Sequence, residues 1–328
     1  MFAPACKKIF FDTVELYKVL LKAMVPTIVL VKFAVEIGAL DYLAQLLGPV
    51  MGALGLPAAA GIVFASGLLV NNYAACAALV AILPFTPLSV AQATVLLSMV
   101  MFAHALPVEQ GISRKAGISF VFSSGLRFLT AIAYGALLHF IYSSTQTLQH
   151  PLDLSWMTVN TGSEDPLTSW ALSNASLLFS LFWVILALVA LLRVLDHFKV
   201  TEFLAQIFSP FLSIMGISKA ATNITMIGVL MGLSYGGGLI IKEAKEGHLG
   251  ARDVVLSLSF MGICHGLIED PLFIMAFGGH WSGVVVGRFV FSIVVMIALS
   301  RLLALIPDST FERLFYRPSK DTTAREAT

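Results

Sequence analysis

The sequence predicts an all-α polytopic membrane protein built from two inverted-topology repeats, each with three transmembrane helices, an interfacial helix and a re-entrant hairpin. Three observations carry that expectation. The 328 residues are 58% hydrophobic and 12% charged, with a mean hydropathy of +0.90, against about 25% charged residues in a soluble domain. Two polar interruptions, MFAHALPVEQ at 101–110 and GICHGLIEDP at 262–271, each place a histidine five residues ahead of a carboxylate: His104 with Glu109, and His265 with Asp270. The histidines stand 161 residues apart, and the same offset pairs Leu43-Ala44-Gln45 with Leu204-Ala205-Gln206, Pro49 with Pro210, Gly67 with Gly228, and Arg127-Phe128 with Arg288-Phe289. His, Arg, Gln and Pro are scarce in so apolar a chain, so their agreement in one gapless register marks a duplication, which matches among Leu or Val would not.

The formal net charge of +1 excludes a strongly basic nucleic-acid binder. Three scattered cysteines, Cys6, Cys76 and Cys264, have neither disulfide-framework nor zinc-site spacing. The N-terminus lacks a short apolar core ending in a small-residue cleavage site, so the first hydrophobic segment is expected to be retained.

Residues 1–13 mix Lys7 and Lys8 with Phe10 and Phe11, as an interfacial segment does. The first repeat is expected over 14–142. Its first span, about 14–38, carries Lys32 and Glu36 four apart on one helical face, placed for a structural ion pair. Residues 41–54, interrupted by Gly48-Pro49, are too short to cross a core of about 30 Å and read as an interfacial helix. The apolar run from Pro57 to Leu83 has Asn71-Asn72-Tyr73 at its middle, which suits the tip of a re-entrant hairpin lining a cavity; one span with a buried Asn pair is the alternative. The span 88–106 ends at His104, and Pro107 cannot continue its backbone ladder, so a break beside the histidine is expected. Arg127, inside the span 116–142, needs a partner, and Glu109 is the nearest carboxylate in sequence.

Residues 143–170 form a polar loop without Lys or Arg. The second repeat, 171–307, follows the same plan: a span at about 171–195, an interfacial helix at about 202–215, and a hairpin whose tip is expected at Ser234-Tyr235-Gly236-Gly237-Gly238. Spans at about 251–268 and 281–306 complete it, with Asp270 and Arg288 placed to pair as Glu109 and Arg127 do; a basic cytoplasmic tail follows at 308–328. An odd number of crossings per repeat inverts the second copy. With the N-terminus inside, Arg114/Lys115, Arg193/Lys199, Lys219/Lys242/Lys245/Arg252 and the tail all fall in the cytoplasm, while 39–57, 143–170 and 270–280 carry no Lys or Arg. A bacterial cytoplasmic (inner) membrane with both termini inside is the expected location.

The segments GLIIKEAKEGHLGARDVVLSLSFM (238–261), CHGLIEDPL (264–272) and AHALPVEQG (103–111) resemble the nucleoside-recognition, or Gate, domain family, which includes the spore-maturation membrane proteins and the Gate segments of ferrous-iron transporter B. The arrangement is also similar, more distantly, to concentrative nucleoside transporters, whose hairpin tips and interrupted helices bind nucleoside and sodium. That resemblance implies a substrate site at Asn71, Asn72, Tyr73, His104, Glu109, Ser234, Tyr235, Gly236, Gly237, His265, Glu269 and Asp270. The acidic hairpin-tip motif, extra scaffold helices and GTPase domain of these relatives have no match here.

A secondary permease for a small polar solute, a nucleoside or similar compound, is the leading expectation, because His, Glu, Asp and Arg placed in register in apolar runs mark a water-accessible path. Tyr73 and Tyr235 supply stacking surfaces, and His104 and His265 suit proton coupling. No cofactor is expected, only a coupling ion, H+ or Na+. A divalent-cation permease is the alternative, although neither motif alone offers a close cluster of ligands, so no metal site is expected. A non-transporting partner in envelope or spore-type assembly is a third reading. Enzymatic activity is not expected, since His265, Asp270 and Ser259 carry no specific triad signal. The expected partners are the solute, the lipid bilayer and either a second copy or another Gate-family protein.

Overall fold

The computed structural model describes residues 2–37, 42, 48–155 and 167–317, and the described residues form helices without a β-strand. Five helical stretches are long and apolar enough to cross a membrane: Val90–Lys115, Phe120–Thr145, Trp170–Leu195, Ala251–Ala276 and Ser282–Ala304. Helix α1, Phe2–Glu36, is 35 residues long, about 52 Å at the usual rise. Its Glu15, Lys18, Lys22, Lys32 and Glu36 make it the least apolar of the six expected crossings. It is one unbroken helix, so no backbone change separates an interfacial segment at 1–13 from the span expected after it. Lys32 and Glu36 do pair, at 3.2 Å.

The run 57–83 is not a single helix. Helices α2 (Ala60–Leu69) and α3 (Asn72–Ile82) meet at Asn71, whose extended backbone and side chain cap α3 by accepting from the Ala74 amide at 2.9 Å. They fold back on each other: a Cβ on Gly67 would sit 3.2 Å from that of Ala75, two residues placed symmetrically about the turn. Helices α4 (Val90–Ala103), α5 (Leu106–Lys115) and α6 (Phe120–Thr145) complete the first unit. A capping box between Ser89 and Gln92 starts α4.

The second unit runs through α7 (Leu167–His197), α8 (Val200–Ile214), α9 (Lys219–Met231), α10 (Leu233–Lys245), α11 (Ala251–Cys264), α12 (Glu269–Ala276), a π-helical turn Ser282–Gly287, and α13 (Arg288–Ala304); α14 (Asp308–Phe315) follows it. The expected second tip is displaced. The turn lies at Gly232, at φ +101°, and Ser234 through Gly238 belong to α10. The glycines serve close packing instead: a Cβ on Gly236 would run into the backbone of Gly228 on the facing helix. The side chains of Ser234 and Tyr235 lie outside the described residues, as do residues 41 and 43–47 of the first expected interfacial helix, whose remainder is helical over 48–53.

The duplication is visible in contacts. Gly67 meets Val100 and Ala75, and Gly228 meets Met261 and Gly236, which are the same positions shifted by one repeat. Gly55 and Gly216, both at positive φ, abut His139 and Ser300, again counterparts. Each hairpin also leans on the other unit. Tyr73 at the first tip packs edge-on against Phe273 of α12, with ring centroids 4.8 Å apart, and Gly237 of α10 faces Ile112 of α5.

Candidate functional site

The centre is built by two helix breaks. Helix α4 stops at His104, whose backbone is extended, and Ala105 then turns through a left-handed conformation at φ 50° before α5 begins. Helix α11 stops at His265 in the same extended state, and Gly266, at φ 59°, makes the equivalent turn. A helix end leaves carbonyls without intrahelical partners, and here an arginine from the next long helix takes them. Arg127 donates from Nε to the Phe102 carbonyl and from Nη2 to the His104 carbonyl, each at 2.8 Å, while its Nη1 pairs with Glu109 Oε2. Arg288 donates from Nη2 to the His265 carbonyl at 2.9 Å, with longer contacts to the Ile263 and Met101 carbonyls. Both guanidiniums are 1% exposed. The negative ends of the two helix dipoles are thus matched by cations.

The repeats part company at the carboxylates. Glu109, in the first turn of α5, reaches Arg127 with one oxygen and both histidines with the other: Oε1 lies 3.4 Å from His104 Nε2 and 3.2 Å from His265 Nε2. Asp270 makes no ion pair with Arg288 among the described residues, contrary to expectation. Its side chain is one methylene shorter and rests against Gly266, which has no Cβ to push it away. Arg288 is left with Nε and Nη1 unbonded to any described acceptor, and its guanidinium lies 5.9 Å from the Phe102 ring centroid.

The two histidines, each 5% exposed, touch directly, with Nε2 to Nε2 at 3.1 Å. Nothing in either motif taken alone announced this meeting, since each supplies one imidazole and the convergence belongs to the packing of the two units. Further buried polar atoms lack a partner among the described residues: Asn72 Oδ1, Gln110 Oε1 and Nε2, and the hydroxyls of Ser98 and its counterpart Ser259. Gln110 and Ser98 were not singled out from sequence, and Ser259 only as a member of a rejected triad; for the two serines, their shared offset was a usable signal. Glu269 and Asp270 are half-buried in the first turn of α12, near the first hairpin tip. Gly236 and Gly237 are buried within α10, one against Gly228 and the other against Ile112.

Described residues that form helices with several apolar spans, and two interrupted helices meeting at a buried polar centre, are those of a polytopic membrane protein. The Gate family, described as nucleoside recognition, matches the chain twice, at residues 17–119 and 178–281, and the chain belongs to that family. It is also 27% identical over 268 residues to the uncharacterized membrane protein YvoD of Bacillus subtilis (strain 168), an alignment covering 78% of this chain and 81% of that protein. No solved structure matches it.

Proposed function

We propose that the protein is a secondary permease for a small polar solute of the nucleoside class, working by alternating access at a site between two inverted repeats in a bacterial inner membrane. The observation that carries this reading is Arg288. A fully buried guanidinium with two nitrogens, Nε and Nη1, lacking an acceptor among the described residues is costly in apolar surroundings. A solute bearing hydroxyl and carbonyl oxygens supplies the acceptors, and Asn72, Gln110 and the carboxylates of Glu269 and Asp270 add complementary groups. The short hairpin helices, 10 and 11 residues in the first pair and 13 each in the second, are too short to cross alone and read as re-entrant. H+ or Na+ is the proposed coupling ion.

A second reading, a divalent-cation permease, is favoured by the histidine pair facing Glu109. Purified protein in liposomes, given labelled uridine and adenosine in one set and Fe²⁺ or Mn²⁺ in another, separates the two. Nucleoside uptake above protein-free liposomes is expected. Folded protein that moves no nucleoside refutes the leading reading, and uptake of the cations alone puts the second in its place.

A further inference from the structure

The histidine pair poses a problem that the permease reading leaves open. His104 Nδ1 lies 3.2 Å from the Met101 carbonyl and His265 Nδ1 lies 2.7 Å from the Met261 carbonyl. A carbonyl only accepts, so each Nδ1 carries a ring hydrogen, and in the tautomer that bears this hydrogen alone each ring turns a lone pair outward at Nε2. Those two nitrogens face each other at 3.1 Å, with Glu109 Oε1, a third acceptor, 3.4 and 3.2 Å away. Three lone-pair atoms crowded together in a buried setting call for a cation among them.

The geometry points to a transition-metal site formed by His104 Nε2, His265 Nε2 and Glu109 Oε1, with Asp270 as a fourth ligand. The edges of the triangle, 3.1, 3.2 and 3.4 Å, are close to the roughly 3.3 Å separating ligands around a tetrahedral ion with bonds of about 2.0–2.1 Å. Ring orientation agrees. Two imidazoles aimed at one ion about 2.1 Å from each nitrogen place their centroids about 4.8 Å apart, whereas a straight N–H···N bridge at the same nitrogen separation places them about 5.4 Å apart. The observed value is 4.9 Å, with the rings inclined by 55°. A ring nitrogen of each histidine and an Asp270 oxygen all lie within 4.8 Å of one another. The surroundings fit too: each histidine donates its other ring hydrogen to a backbone carbonyl, and Arg127 holds the far oxygen of Glu109. Two imidazole nitrogens with carboxylate oxygens suit Zn²⁺, Fe²⁺, Mn²⁺ or Co²⁺, whereas Mg²⁺ and Ca²⁺ prefer all-oxygen shells. The site stands whatever solute the protein carries, because it concerns binding and not uptake.

Full-length protein purified without a polyhistidine tag and titrated with Co²⁺ tests it. One Co²⁺ per chain is expected, with the visible absorption of a four- or five-coordinate ion. It should persist in Glu243→Gln/His248→Ala, which dismantles an exposed second cluster of Glu243, Glu246 and His248. His265→Ala should weaken binding by at least about 100-fold, and His265→Cys should bind again with a new near-ultraviolet thiolate-to-cobalt band. Absence of binding to the parent protein overturns the site, as does binding unchanged in His265→Ala or lost in the surface double variant. If His265→Ala does not fold, the thiolate band of His265→Cys decides: its presence places the ion at this position, and its absence removes it.

Discussion

Tyr17 donates a hydrogen bond, 2.9 Å long, to the backbone carbonyl of Leu178, its own counterpart 161 residues further along. His104 and His265 are counterparts at the same separation and also touch. A residue meets its own copy near a symmetry axis, so both contacts are the ones a two-fold axis between the units would produce. The family matches begin at these same two residues, 17 and 178.

The direction of that axis is open to test. Asp12 pairs with Arg193 while Tyr17 reaches back to Leu178 and the Phe182 ring, so advancing along α1 means retreating along α7. Antiparallel counterparts are what an axis across the helices, with copies of opposite orientation in the membrane, would give. Single cysteines at Thr147 and Lys219, in a background without Cys6, Cys76 and Cys264, should react with impermeant maleimide from opposite faces. Labelling from one face would dispose of the inverted arrangement.

The two carboxylates should behave differently in stability measurements. Glu109→Gln leaves the buried Arg127 charge without its counter-ion and is expected to cost about 3–5 kcal/mol, read as a large fall in melting temperature in detergent. Asp270→Asn removes no ion pair among the described residues and should stay within about 1 kcal/mol of the parent. Equal losses would mean that Asp270 carries a structural bond after all.

Hairpin packing predicts a second asymmetry. Gly236→Ala drives a methyl group into the Gly228 backbone, which cannot swing aside, and overpacking of this kind costs about 1–3 kcal/mol. Gly67→Ala meets the Val100 side chain at 2.7 Å and the Ala75 methyl at 3.2 Å, and the helix-propensity gain of about 1 kcal/mol opposes the crowding. The first substitution should lower the melting temperature clearly more than the second; a reversed order would refute the tight second crossing.

Glu269 has Val108 as its counterpart and no ion pair among the described residues, so it is the carboxylate most available to a solute. Glu269→Gln should leave folding intact and reduce nucleoside uptake at least about tenfold, the effect of losing roughly 1.4 kcal/mol of binding. Uptake matching the parent would take Glu269 out of the site.

Several of these features were legible before any coordinates. The first break could be read because Pro107 forbids a continuous ladder, and the first hairpin turn because Asn71 is a natural cap. The second turn could not. In GLSYGGG four glycines compete for it, and only the backbone shows that Gly232 turns while Gly236 and Gly237 pack. The Asp270–Arg288 expectation failed because equal spacing in sequence hides two local differences: α5 starts at Leu106 but α12 only at Glu269, two residues later in the repeat register, and Asp270 is one methylene shorter than Glu109. The meeting of the histidines depends on how two units dock, which no local pattern encodes.

The self-contacts at Tyr17/Leu178 and His104/His265 carry an evolutionary consequence. A half-length ancestor with this packing would have been an isologous homodimer, in which every substitution near the axis appeared twice and had to be compatible with its own image. Fusion into one chain lifted that constraint. Ala75 against Gly236, Asn72 against Leu233, Gln110 against Pro271 and Glu109 against Asp270 are places where the halves have since become free to differ, and all lie at the hairpins or the helix breaks.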